Sequence, residues 1–238
     1  MCKTKVMTSI ITPEKYLTRK KIQVQLEGLC HVFFNKTYIR YFEDYDLKLI
    51  LTLNTVNIYS IHLKTNAYIA IIRNGASLSS IDFECLIHIG FSDFIFYGYA
   101  CSISNCNIGD IVLVKKAYIG EGVSQHYNKN TIYNLTSEQL NTQLISKLDS
   151  QFIVNVLNCY STDALFMETK DLLEELKKHE IGCIDMECSA LTSISAYRKV
   201  NVAFVFCISD IIKGDSWIYK NDVDLRKRLV DALLLVCC

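Results

Sequence analysis

The chain has 238 residues, half of them hydrophobic and 21% charged, enough for one large α/β core or two small ones. Its 25 basic residues balance 25 acidic ones, so the basic excess that would favour nucleic acid or an anionic membrane surface is missing. The chain opens without the apolar run of a secretion signal, and no apolar stretch reaches the roughly 18 residues of a spanning helix, so a soluble, cytoplasmic protein is expected.

Eleven cysteines, an odd count with no Cys-x-x-Cys pair, do not suit a disulfide framework. Cys101 with Cys106, and Cys183 with Cys188, are spaced too widely for common zinc knuckles. These cysteines are expected to act as small buried hydrophobes, and no metal is expected. With one proline and nine glycines, each glycine carries positional weight.

Residues 1–27 read as a polar arm with a short helix over 12–22, where Pro13 suits a first helical position. Residues 30–34 form a first strand. Residues 35–51 mix aromatic and charged side chains and fit a helix better than a strand. Two strands follow, 55–63 and 67–72, joined by a turn at 64–66. Asn74-Gly75-Ala76-Ser77 then opens a helix that Gly90 ends. A strand, a glycine turn and a helix in succession offer free backbone N–H groups to an anion.

Residues 91–98 are apolar throughout, as a central parallel strand should be, and end in the small-residue tip Gly98-Tyr99-Ala100-Cys101-Ser102. After a turn at 107–110, residues 111–119 form a long strand. It feeds a polar loop, 120–127, in which Glu121, His126 and Tyr127 stand beside two glycines. A helix over 137–148 and a strand over 152–157 lead to the segment 159–169, and a helix over 170–179 follows.

Two strands then deliver a carboxylate each. One ends at Ile184-Asp185 and passes through Met186-Glu187 into a helix. The other, 200–208, is closed by Ser209-Asp210. In an open α/β sheet, ligands bind beyond the carboxyl ends of the strands, so two acids at that edge suggest one pocket. The plainer alternative is that Glu187 offsets a helix dipole and Asp210 caps a helix. A polar loop over 213–222 holds the one tryptophan, Trp217. A helix over 222–235 closes the chain, with Leu225, Leu229 and Leu233 on one stripe. With no repeat or linker visible, the expected architecture is a single three-layer α/β/α domain, 1–238, around a central mixed sheet.

Several of these segments, in the same order, resemble the nucleoside phosphorylase superfamily. The matching pieces are Asn74-Gly75-Ala76, Gly98-Tyr99-Ala100-Cys101, Ile108-Gly109-Asp110, Glu121 to Tyr127, Ser161-Thr162-Asp163-Ala164 with Glu168-Thr169, Met186-Glu187 and Ser209-Asp210. The resemblance implies cleavage of the N-glycosidic bond of a purine or pyrimidine nucleoside. It places Glu187 on the ribose hydroxyls, Met186 against the sugar, and Asp210 with Ser209 at the base. It implies that Leu165 and Phe166 pack on the base, that His126 and Tyr127 lie near the sugar, and that Gly98 and Ala100 line the pocket. Inorganic phosphate is the co-substrate it implies, with no other cofactor, and a homo-oligomer is the expected assembly.

The departures concern phosphate. Where many members carry an arginine two residues before the tip glycine, this chain has Phe96. The tip's last glycine is Cys101, the arginine often found after Thr-Asp-Ala is Met167, and the amino-terminal glycine-rich loop has no counterpart. Gly75 and Arg73 are the residues that could take an anion. Hydrolysis without phosphate, or nucleoside binding without catalysis, are the alternatives.

Overall fold

The structure, a computed structural model, describes residues 9–18, 22, 24–64, 66–220 and 224–237. In chain order its elements are α1 (Pro13–Thr18), β1 (Leu29–Phe33), a 3₁₀ helix (Lys36–Phe42), β2 (Leu47–Leu53), β3 (Val56–His62), β4 (Asn66–Ile71), α2 (Ala76–His88), β5 (Asp93–Ser102) and β6 (Ile111–Gly120). There follow α3 (Ser124–Tyr127), β7 (Tyr133–Leu135), α4 (Glu138–Leu148), β8 (Val154–Thr162), a second 3₁₀ turn (Leu165–Met167), α5 (Lys170–Lys178), β9 (Ile181–Asp185), α6 (Cys188–Arg198), β10 (Asn201–Lys213), β11 (Ser216–Tyr219) and α7 (Leu225–Cys237). Residues 1–8, 19–21 and 23 of the expected arm lie outside the described residues, so the helix expected over 12–22 is described only as α1.

One mixed sheet carries the fold, in the order β11-β10-β6-β8-β9-β5-β1-β4-β3-β2, with β7 on β6. β5 is its hub. It runs parallel to β1 and β10 and pairs with β9 antiparallel at its last two residues. Because β10 also pairs with β6, and β6 connects through β8 to β9, these five strands close on themselves. Closure removes two sheet edges and brings the ends of β5, β8, β9 and β10 together.

The two sheet faces carry separate cores. On one, α2 and α6 pack over a phenylalanine cluster in which Phe83, Phe94, Phe96, Phe204 and Phe206 are buried. On the other, α4 and α7 pack with the first 3₁₀ helix over Phe33, Tyr97 and Val205. Helices on both faces of a mixed sheet give the three layers expected.

Two segments depart from their expected form. Residues 35–51 do not make one helix. Asn35 caps a 3₁₀ helix by accepting from Thr37 N, and the chain then turns into β2, paired antiparallel with β3. β2 is the sheet's last strand, and its mostly solvated side chains hide the alternation that marks a strand. At the other edge, β10 does not stop at Ile208. A bulge between Ile208 and Asp210 bends it, and it continues to Lys213 before folding back as β11, all of whose side chains are exposed.

Candidate active site

Gly75 begins the site. Its φ of +87° suits glycine, and it stands just before α2 as that helix's N-cap. Its N–H donates to Glu187 Oε1 at 2.6 Å. The carboxylate of Glu187 therefore occupies the helix end where an anion was expected.

Glu187 itself follows β9 and is the N-cap of α6. Below it, Asp185 is buried, accepting from Ser161 Oγ at 2.5 Å and from the N–H groups of Glu187 and Cys188 at 3.0 and 2.7 Å. These bonds fix the backbone that carries Met186 and Glu187. Burial, and then the neighbouring charge of Asp185, pushes the Glu187 carboxyl up to about 7. Met186 is half-buried beside it.

Asp210 arrives from the other side. It is the register partner of Cys101 on β5, and Ile184 is the partner of Cys101 on β9. The Met-Glu element and the Ser-Asp element thus flank one residue of the hub strand. Two interstrand spacings put their strand ends about 10 Å apart. Ser209 Oγ donates to Asp210 Oδ1 at 2.5 Å and reaches the Ala100 carbonyl at 3.4 Å. Trp217 Nε1 donates to Asp210 Oδ2 at 2.7 Å. The Cys101 thiol also bonds Asp210; burial first, and then that carboxylate, holds the thiol well above its ordinary range. Glu168 completes the group, its carboxyl raised by burial and then by the charge of Asp210.

Ala100 is buried in the β5 tip. At Gly98 an added Cβ would come within 3.2 Å of the Phe34 ring. Leu165, Phe166 and Met167 form the 3₁₀ turn after β8 and are 51%, 96% and 65% exposed. An ion pair between Lys170 and Asp215, at 2.6 Å, joins the helix after that turn to the β10–β11 hairpin.

Three candidates sit apart from the two carboxylates. Tyr127 packs edge-on against Tyr197, near the far end of α6 and ten residues beyond Glu187, a rise of about 15 Å. His126, beside it in α3, is exposed. Their loop is anchored by Glu121, which is buried and accepts from Val123 N, Ser124 N, Ser124 Oγ and, at 2.8 Å, Ser189 Oγ. Arg73 is committed elsewhere. Its Nε and Nη2 reach the two oxygens of buried Asp82 at 2.9 and 2.7 Å. Phe96, standing in the arginine position, is fully buried and stacks on Phe204 at 5.1 Å.

Residues 52–235 match the model of the phosphorylase superfamily. The chain belongs to that superfamily. Over 120 residues it is 27% identical to the DeoD-type purine nucleoside phosphorylase of Buchnera aphidicola subsp. Baizongia pistaciae, covering 49% of this chain and 50% of that one. Over 66 residues it is 36% identical to the protein of the same name from Buchnera aphidicola subsp. Schizaphis graminum, covering 27% and 28%. The chain thus spans half the length of one of these curated relatives and just over a quarter of the other. Trp217 and Glu168 interact with the candidate site's Asp210 in ways that the motifs do not reveal. In the sequence Trp217 stands in a polar loop and Glu168 in a short motif, and neither is marked as a partner of Asp210. The alternation in Asp185-Met186-Glu187 was the one available signal that the first acid supports the second.

Proposed function

We propose that this phosphorylase-superfamily chain cleaves the N-glycosidic bond of a purine nucleoside. The observation that carries this reading is that Glu187 and Asp210 reach the same end of β5 from strands on either side of Cys101. A carboxylate at Glu187 accepts hydrogen bonds from ribose hydroxyls and stabilises the positive charge that develops on the sugar. Asp210 serves the base, whose nitrogen gains a proton as the C1′–N bond breaks and its electron pair leaves with the base. Met186 and the turn 165–167 offer apolar contact to sugar and base. The names of the two relatives favour a purine over uridine.

Water is the acceptor favoured by the charges. A phosphate dianion needs matched cationic donors. In this chain Arg73 is held by Asp82, Phe96 is core, and the Gly75 N–H is taken by Glu187. With water, the oxygen bonds to C1′ and its spare proton leaves to solvent, yielding free ribose.

The apolar surface at 165–167 and Trp217 fits burial against a second copy of the chain, and no helix among the described residues is long and apolar enough to cross a membrane. The test is product analysis on inosine, adenosine and uridine, with and without phosphate. Free ribose and purine base at a phosphate-independent rate support the reading. Ribose 1-phosphate would replace the acceptor, and binding by calorimetry without products would leave a non-catalytic nucleoside-binding protein.

A further inference from the structure

Beneath the Glu187 tip lies a cluster that the proposed reaction does not use. Cys159 on β8, Asp185 at the end of β9 and Cys188 at the start of α6 are buried, and their ligand atoms lie within 4.8 Å of one another. Cys183 faces Cys159 across the β8–β9 ladder, and the two thiols are hydrogen-bonded. Two thiols and a carboxylate therefore converge from three elements, with the Cys183 thiol bonded to one of them.

The geometry suits a cation. Asp185 Oδ2 is held by two backbone N–H groups, while Oδ1 lies 3.5 Å from Cys159 Sγ. With Zn–S near 2.3 Å and Zn–O near 2.0 Å, tetrahedral zinc sets its sulfur and oxygen ligands about 3.5 Å apart. Charge points the same way. Among the described residues, none of the ion pairs supplies Asp185 with a lysine or arginine. A buried carboxylate is normally paired or bound to a metal. The separate spacing of Cys183 and Cys188 in the sequence gave no hint of this, because Cys159 joins them only through strand pairing.

We propose that Cys159, Asp185 and Cys188 form a buried structural site for one thiophilic divalent cation of the zinc class, with the adjacent thiol of Cys183 turning in as the fourth ligand. Ser161 Oγ, which donates to Asp185 Oδ1, becomes the outer partner that orients the carboxylate. Ligating thiols release their protons to solvent. Since every ligand is buried, the ion enters during folding and leaves on unfolding.

The experiment is to express the full chain in zinc-supplemented medium, wash it with EDTA, and unfold it in guanidinium with a chromophoric zinc chelator. Release of about one equivalent per chain, only on unfolding, is expected. Cys188→Ser and Asp185→Asn should release almost none. Cys85→Ser, at a buried cysteine of the same core outside the cluster, should release as much as the unaltered chain. Growth on cobalt should give the unaltered chain a thiolate-to-cobalt absorption band. An unaltered chain that releases no zinc and shows no such band overturns the proposal, even where the cluster variants fail to fold. Equal loss in Cys85→Ser overturns it too.

Discussion

Glu187 and Asp210 differ in what holds them, and that difference sets what their substitution should do. Glu187 accepts backbone N–H groups, from Gly75 and Met186, which a glutamine oxygen can also accept. Glu187→Gln should therefore keep the fold and lose the charge that faces the sugar. We expect its turnover of purine nucleoside to fall by about 10²- to 10³-fold with little change in melting temperature. An unchanged rate would remove Glu187 from the reaction. Asp210 depends on a side chain from a different strand. Trp217→Phe keeps an aromatic ring in the hairpin but deletes the 2.7 Å donor to Asp210. Loss of one hydrogen bond to a charged group should lower kcat/KM about 10-fold. Steady-state kinetics on inosine would show it, and a value equal to the unaltered chain would make the Trp217 contact incidental.

At the scale of elements, the start of α2 decides between a phosphate site and a structural one. Arg73 lies two residues beyond β4 and Asp82 lies within α2, so their ion pair ties the end of the strand to the helix. The Arg73 N–H and Thr55 Oγ1 also donate to Asp82, at 3.0 and 2.9 Å. Arg73→Met would strand a buried carboxylate, and we expect about 2–3 kcal/mol of lost stability in urea unfolding. The same variant should leave the dependence of rate on phosphate unaltered; a raised KM for phosphate would return Arg73 to the site. In the sequence Arg73 stands beside a glycine turn with no sign of Asp82, because the pair forms only once the helix packs. Strand and helix positions with strong apolar runs, such as 93–98 and 202–208, were legible because both faces are buried. The edge strands β2 and β11 were not. Their order comes from backbone pairing, which leaves no pattern in the side chains. The two acidic tips were legible for the opposite reason: each follows directly from an apolar run and needs no partner to be noticed.

Across the whole molecule, one buried histidine joins the hub strand to the closing helix. His31 on β1 places Nδ1 2.9 Å from the Tyr97 hydroxyl on β5 and Nε2 3.4 Å from Cys237 Sγ on α7. Burial, and then the positive charge of Lys147 on α4, lowers its pKa from 6.5 to about 4. The folded chain thus holds a neutral imidazole, whereas the unfolded chain takes up a proton below its ordinary pKa. The stabilisation is complete above that ordinary value and is lost as pH falls through the window down to about 4. Between pH 7 and pH 5 the loss from this one group should be about 2 kcal/mol. Other groups also titrate over that range, so the informative quantity is a difference. His31→Gln, which keeps a polar side chain between Tyr97 and Cys237 but cannot take up the proton, should show a stability change over the same interval smaller by about 2 kcal/mol in urea unfolding. Parallel pH profiles for the two proteins would mean that His31 is as easily protonated in the fold as out of it, and that the contact between β1 and α7 tolerates charge.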